Sequence, residues 1–377
     1  MPHSTQVRQQ KIGVSNGNNI FRSTAQGRYE MEFMSAEPAH SHLPLFTSSG
    51  VGGVVMSKLA IIIPYVGEWP SILFTVRSIH DDLKDVDHEI IVVDNWCDEV
   101  VRQGRTPDRG HLHIGKKGEQ VESHLLTISK QCSWLKYMMY DLALSHWQCK
   151  AHAVANTNAD YLMFIDAHCI AKQGSLVGMY HTYRAMEDYI NGTLHLPLTY
   201  NILEDKRLIY SLQWEPEKGF IGYTFCSAPQ REEIMYEVPC MSSCGSLMSR
   251  KVYNSLQNAW AGLTSYSGGE HIMNYVLATL GYKHWIYNRG ILHHHGDERG
   301  YSWNWGGYQY NRAVAMYLIA GEAFMWKYLD NVKCPDVSIK MSIGSSVLEN
   351  YDSTFKNIEL NRKQTIEDWK VKRREGI

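Results

Sequence analysis

Tyr161-Leu162-Met163-Phe164-Ile165-Asp166-Ala167-His168-Cys169 is the stretch on which the reading of this chain turns. Its first five residues are apolar strand formers without alternation, the pattern of a strand buried on both faces. The run stops at Asp166 and His168, two metal-capable side chains one residue apart. Successive residues of an extended segment point opposite ways, so these two fall on one side. Ligands of open α/β sheets bind just beyond the carboxyl ends of the strands. A carboxylate and an imidazole at such a tip can hold a divalent cation, and the cation a diphosphate. The oxygen–imidazole pair suits Mn²⁺ better than Mg²⁺.

Working outward, Leu59 to Tyr65 reads as a buried first strand broken by Pro64, and Pro70 sits in the first turn of a helix carrying Ile72, Leu73, Val76 and Ile79. Glu89 to Val93 is a second buried strand closing on Asp94-Asn95, which completes a βαβ unit. Spacing predicts a helix through Trp134, Leu135, Met138, Met139 and Leu142, and another near Lys150 to Asn156. A third helix carries Leu176, Met179, Tyr180, Tyr183 and Met186. No strand order is assigned between Leu196 and Cys240. Gly268-Gly269-Glu270-His271 opens a further helix with an Ile272, Tyr275, Val276, Thr279 and Leu280 stripe, and Gly281 suits the position after its end. Tyr282 to Ile286 returns as a strand towards His293-His294-His295, and Arg312 to Leu329 is helical. The chain thus divides into a loosely ordered extension (1–57), an α/β domain with a mostly parallel sheet (58–330) and a polar tail with a terminal helix (331–377).

The composition bounds the function. With 377 residues, 44% hydrophobic, 20% charged and a net charge of −2, the chain is a globular protein without a broad nucleic-acid-binding surface. Its eight cysteines include no Cys-x-x-Cys pair, which argues against a zinc ribbon. Cys240 and Cys244, four apart, read as buried thiols, and the setting expected is cytoplasmic. No run of 18 apolar residues provides a membrane span.

Other candidates follow from position. Asp94 ends a buried strand, where an acid is costly unless it meets a donor or ligand, and it either caps the next turn or accepts the ring N–H of a uracil. His293 and His295 share a face of an extended run while His294 points away, so one of the two is expected at the metal. Glu270 lies at a helix N-terminus, which favours a carboxylate with or without a ligand. Gly268 and Gly269 before it permit close backbone approach.

Taken in order and spacing, these segments resemble the family 2 glycosyltransferases of GT-A fold. Asp-Ala-His-Cys and Gly-Gly-Glu are closer to their relatives, the polypeptide N-acetylgalactosaminyltransferases, and the likeness covers roughly residues 58–330. The resemblance implies a single Rossmann-like domain for a nucleotide-sugar donor, usually UDP-linked, with Mn²⁺ (or Mg²⁺) on its diphosphate. It matches Asp166 and His168 to the family's metal motif and a histidine of 293–295 to the late ligand. It matches Asp94, with Asn95 beside it, to the acid that binds the nucleobase, and Gly268, Gly269 and Glu270 to the motif that meets donor sugar and acceptor. Cys244-Gly245-Ser246 takes the place of a segment lining the donor sugar. Tyr301, Trp303 and Trp305 look like the mobile lid, with Arg299 adding positive charge near the diphosphate.

Inverting relatives carry Glu-Asp, whose Asp is the general base. Glu270-His271 is nearer the Glu-Asn of retaining ones, so retention is the expectation, with His271 as the alternative base. No lectin repeat follows. The implied activity is metal-dependent hexosyl or pentosyl transfer to a hydroxyl of a glycan, a protein, a small molecule or a hydroxymethylated DNA base. A nucleotidyltransferase is the rival enzyme, although no Gly-rich, Lys-containing phosphate loop follows the first strand. A non-catalytic sugar-nucleotide binder would keep the fold and lose the metal ligands.

Overall fold

The computed structural model describes residues 58–97, 111–113, 122–203, 206–265, 268–295, 304–334 and 336–369. The extension 1–57, Tyr301 and Trp303 of the expected lid, Arg299 and the basic terminus from Lys370 onward lie outside the described residues.

Strand β1 (Leu59–Tyr65) is buried along its whole length, and alternate residues feed two apolar layers. Ala60 and Ile62 face one layer; Leu59, Ile61 and Ile63 face the other. Helix α1 (Ser71–Leu83) covers the second layer with Ile72, Val76, Ile79 and Leu83, each contributing about 1.5–3 kcal/mol by leaving water. Strand β2 (His88–Asp94) then pairs in parallel with β1, from Leu59 opposite His88 to Tyr65 opposite Asp94.

Two short strands, β3 (His111–His113) and β4 (Glu122–Ser123), pair with each other ahead of helix α2 (His124–Ser129). Residues Leu135–Met139, expected as helix, form strand β5 in parallel with β2. Leu135, Met138 and Met139 satisfy a helical template, but the segment ends within five residues and finds its backbone partners along the sheet edge. Helix α3 (His146–Ala155) leads into β6 (Tyr161–Phe164), the strand read first, which pairs with the other side of β1. The β5–β2–β1–β6 half of the sheet is therefore wholly parallel. That places the carboxyl ends of β2, β1 and β6 on one edge.

Strand β7 (Cys169–Ala171) and helices α4 (Ser175–Ala185) and α5 (Glu187–Ile190) follow, then β8 (Gly192–His195) and β9 (Leu198–Thr199). The unassigned region holds a hairpin of eight-residue strands, β10 (Leu208–Glu215) and β11 (Phe220–Ser227), and then β12 (Met235–Val238). Next come β13 (Ser246–Ser249), helix α6 (Arg250–Asn254), helix α7, β14 (Lys283–Tyr287) and β15 (Leu292–His294). Helix α7 is one α turn at Gly269–His271, a π segment at Ile272–Val276 and a last turn at Leu277–Thr279. It is buried on nearly every side rather than along one stripe. The large sheet runs β12-β14-β8-β13-β6-β1-β2-β5 and the second β11-β10-β9-β15-β7. In the large sheet β13 is antiparallel to both neighbours, and β12 to β14.

Helix α8 begins at Trp305, earlier than its apolar pattern implies, because Asn304 caps it by accepting the Gly307 N–H at 3.1 Å. It ends at Ala320, and Gly321 at φ 82° separates it from helix α9 (Glu322–Asn331). The stretch read as a polar tail contains helix α10 (Val337–Leu360), whose Ile343, Val347, Tyr351 and Ile358 are buried, as is Trp369 beyond it. A sparse apolar stripe is enough to dock a helix whose remaining positions are polar.

Glu89 is a buried carboxylate on β2 with 2% exposure. It accepts the Thr157 hydroxyl and pairs with Lys136 and, at 3.4 Å, with Lys58. Burial works to raise its pKa, but these partners outweigh burial and leave it below the ordinary 4.5. A carboxylate depressed in the folded state contributes stability above its unfolded pKa and loses it as pH falls through the folded value. Glu89→Gln is therefore expected to cost about 1–3 kcal/mol at neutrality. In denaturation series the gap between wild type and variant should close as pH is lowered well below 4.5.

Candidate functional site

The turn from β6 to β7 carries Asp166-Ala167-His168 and is clasped from α1. Thr75 donates its hydroxyl to the Ala167 carbonyl at 2.9 Å and accepts the Cys169 N–H at 3.0 Å. Strand β15 lies antiparallel on β7 with His294 opposite Cys169, and the His295 N–H donates to the His168 carbonyl at 2.9 Å. His294 Nε2 consequently lies 3.3 Å from Asp166 Oδ2 and 3.2 Å from His168 Nε2. Adjacent ligands of one ion with bonds of about 2.1 Å sit about 3 Å apart, so these donors fit a single cation.

The expectation put His293 or His295 at this point, and the structure corrects it. The histidine grouped with Asp166 and His168 is His294. Alternation puts His293 and His295 on one face and His294 on the other, but the sequence does not say which face meets β7. The ladder on Cys169 and Ile170 decides that.

Asp166 is also 3.7 Å from His146 Nε2, on the first residue of α3. Burial pushes its pKa up, but the His294 hydrogen bond and the His146 and Lys150 charges more than offset this and hold it well below the usual range. The carboxylate is thus ionised, as a metal ligand must be.

Lys150, which sequence reading passed over, is fully buried on α3. Its ammonium donates to Ser243 Oγ at 3.0 Å and lies 4.8 Å from the centre of the Trp147 ring. Burial lowers its pKa, while Asp166 and then Glu270 pull it back up. Ser243 Oγ is 3.4 Å from Glu270 Oε1. Ser243 thus links the Lys150 amine to the Glu270 carboxylate at the start of α7. The signal in the sequence was a single lysine among Cys149, Ala151, Ala153 and Val154 on a helix that precedes a buried strand.

The other expected residues divide. Asp94 is buried at the end of β2, where Tyr137 donates its hydroxyl to Oδ2 at 2.7 Å. Asn95 instead holds the fold together. Its amide donates to the Tyr140 and Ala143 carbonyls and its Oδ1 accepts the Ser145 N–H. Gly245, at φ 79°, bonds through its backbone to Phe164 and Leu196, and Cys244 packs against Cys169 with sulfurs 3.5 Å apart.

Gly268 has φ 84°, and a Cβ there would meet the Asn311 Cβ at 2.5 Å; a Cβ on Gly269 would run into the Trp147 ring. Both glycines let α7 approach α3 and α8 closely. His271 is buried among Phe220, Tyr223 and Tyr275 rather than grouped with Asp166, and burial followed by the Arg312 charge keeps its pKa well below the ordinary value. Trp305, expected in the lid, is the first residue of α8 and lines a cavity of about 250 Å³ with Phe220, Gln309, Arg312 and Tyr328.

No protein-family model matches the sequence, and no curated protein does. Among solved structures, GalNAc-T7 with UDP, GalNAc and Mn²⁺ aligns over 80% of this chain with a TM-score of 0.53 at 12% identity. The chain has the GT-A glycosyltransferase fold. It spans 58% of the length of that GalNAc-T7 structure. S. aureus TarS in complex with UDP-GlcNAc is a fainter likeness, with a TM-score of 0.43 at 11% identity, over 78% of this chain and 73% of that one. In the GT-A frame of this chain, Asp94, Tyr65 and Asp166 stand at or just beyond the carboxyl ends of neighbouring parallel strands. Among the described residues, no helix is long and apolar enough to cross a membrane.

Proposed function

We propose that this protein is a metal-dependent glycosyltransferase that takes a sugar from a nucleotide-sugar donor, of the UDP class, to a hydroxyl acceptor. The observation that carries the reading is the convergence of Asp166, His168 and His294 at the tip of β6 on a GT-A fold. A carboxylate with two imidazoles suits Mn²⁺. When bound there, the cation supplies Lewis-acid stabilisation of the departing diphosphate.

The chain's own groups account for the remainder. Asp94, buried and oriented by Tyr137, offers a carboxylate oxygen for the ring N–H of uracil. Glu270, in the first turn of α7, serves in this reading as the carboxylate that meets the donor sugar and acceptor. Lys150, fully buried, donates to Ser243 Oγ, and Asp166 and Glu270 favour its protonated form against burial, which lowers its pKa. His271, packed among aromatic rings, supports the neighbouring turn better than it serves as a base, which favours retention of configuration. Acceptor candidates are a glycan, a protein, a small molecule or a hydroxymethylated DNA base.

The test is incubation with Mn²⁺ and a panel of nucleotide sugars, with and without candidate acceptors, followed by measurement of free nucleotide. Release from one donor supports the reading. Binding without release points to a non-catalytic nucleotide-sugar binder, and release of sugar 1-phosphate with transfer of the nucleotidyl group points to a nucleotidyltransferase. Single alanine variants of the three adjacent histidines sharpen it. His294→Ala is expected to weaken Mn²⁺ binding by about a hundredfold, and His293→Ala and His295→Ala far less. Calorimetric titration of the metal measures this, and an equal loss in all three would refute the ligand assignment.

A further inference from the structure

We infer that the chain holds a second, sulfur-rich cation site, made by Cys169, Cys244 and His294, that takes a soft divalent ion of the zinc class. It shares His294 with the Asp166–His168 set.

The site is assembled by three separate elements. Cys169 opens β7, Cys244 lies just before β13, and His294 ends β15 directly opposite Cys169. One donor atom from each lies within 4.8 Å of the other two. Both thiols are buried, and their sulfurs are 3.5 Å apart. That spacing excludes a disulfide and is that of two thiols in hydrogen-bonding contact, which a bound ion would spread only slightly. A disulfide needs its sulfurs at about 2.04 Å, whereas two thiolates on a tetrahedral ion with bonds of about 2.3 Å stand about 3.8 Å apart. The observed separation is close to the second value.

Chemistry points the same way. Thiolate sulfur selects zinc-like ions, while the carboxylate and imidazoles next door select harder ones. Three protein ligands leave a fourth position open, as in zinc sites that bind an exogenous ligand. As each metal–sulfur bond forms, the thiol releases its proton to solvent, so nothing is oxidised or reduced. His294 belongs to both sets, so on the proposed function zinc held by the sulfur set draws on a ligand of the Mn²⁺ set and lowers transfer.

The experiment is titration of the full-length protein with Co²⁺, a spectroscopic substitute for zinc, in the absence of any sugar donor. The expected result is a thiolate-to-cobalt charge-transfer band saturating at one equivalent and displaced by Zn²⁺ at far lower concentration than by Mn²⁺. The band should vanish in Cys169→Ser/Cys244→Ser, and His294→Ala should weaken Co²⁺ affinity by about tenfold or more. It should persist in Asp166→Ala, which separates this site from the Mn²⁺ reading. Circular dichroism of each variant checks that it folds. Should the double variant not fold, Cys244→Ser alone must still lose most of the band. Absence of a band in the wild type, or a full band in a folded cysteine variant, overturns the inference.

Discussion

Asp166→Ala is expected to lower nucleotide release from the sugar donor by at least about a thousandfold and to abolish Mn²⁺-dependent UDP binding with it. Asp166 is the one carboxylate in the group with His168 and His294, and it is held ionised in a buried setting. Its loss removes the hard ligand that favours Mn²⁺. Lewis-acid stabilisation of a leaving group is worth several kcal/mol, and a thousandfold corresponds to about 4 kcal/mol. Asp166→Asn keeps the shape without the charge and should fall nearly as far, which separates ligation from packing. Asp352→Asn, which breaks an exposed ion pair with Lys356 on α10, is the control expected to change neither quantity. Undiminished transfer by Asp166→Ala would remove the basis of the proposed function.

The second large effect is expected at Lys150. Replacing it with methionine keeps most of the volume and removes the amine whose protonated form Asp166 and Glu270 favour. Removing one partner from a buried set of opposite charges typically costs about 3–5 kcal/mol, because the remaining charges stay desolvated without compensation. The chain should show that loss as a lower denaturant midpoint with an unchanged slope. A cation bound at Asp166 compensates part of the same charge, so Mn²⁺ should stabilise Lys150→Met more than it stabilises wild type. The comparison of melting curves with and without Mn²⁺ tests this. A midpoint equal to or above that of wild type would show that the buried ammonium is tolerated by the fold rather than needed as a counter-charge.

Local pattern in the sequence was sufficient wherever one element decided the outcome. The apolar runs at Leu59–Tyr65, His88–Asp94 and Tyr161–Phe164 became parallel neighbours because strands buried on both faces have few other ways to satisfy their backbones. Gly268 and Gly281 bracket α7 as positive-φ positions, which only their lack of a Cβ makes easy. Edge strand β5 was misread because its apolar spacing suits a helix and its partner, β2, lies more than forty residues upstream. The β10–β11 hairpin escaped because its alternation is blurred by a mix of half-buried residues on both faces.

By itself, then, the sequence determined that a metal-capable carboxylate and imidazole cap a central buried strand, since both lie within one continuous segment. Which histidine joins them, and which lysine and cysteines surround them, were decided by tertiary structure. Those side chains come from residues 146 to 294, and only the β7–β15 register and the packing of α3 beneath the sheet bring them together. Side-chain direction at a strand tip depends on the partner strand, and that partner is more than a hundred residues away in the chain.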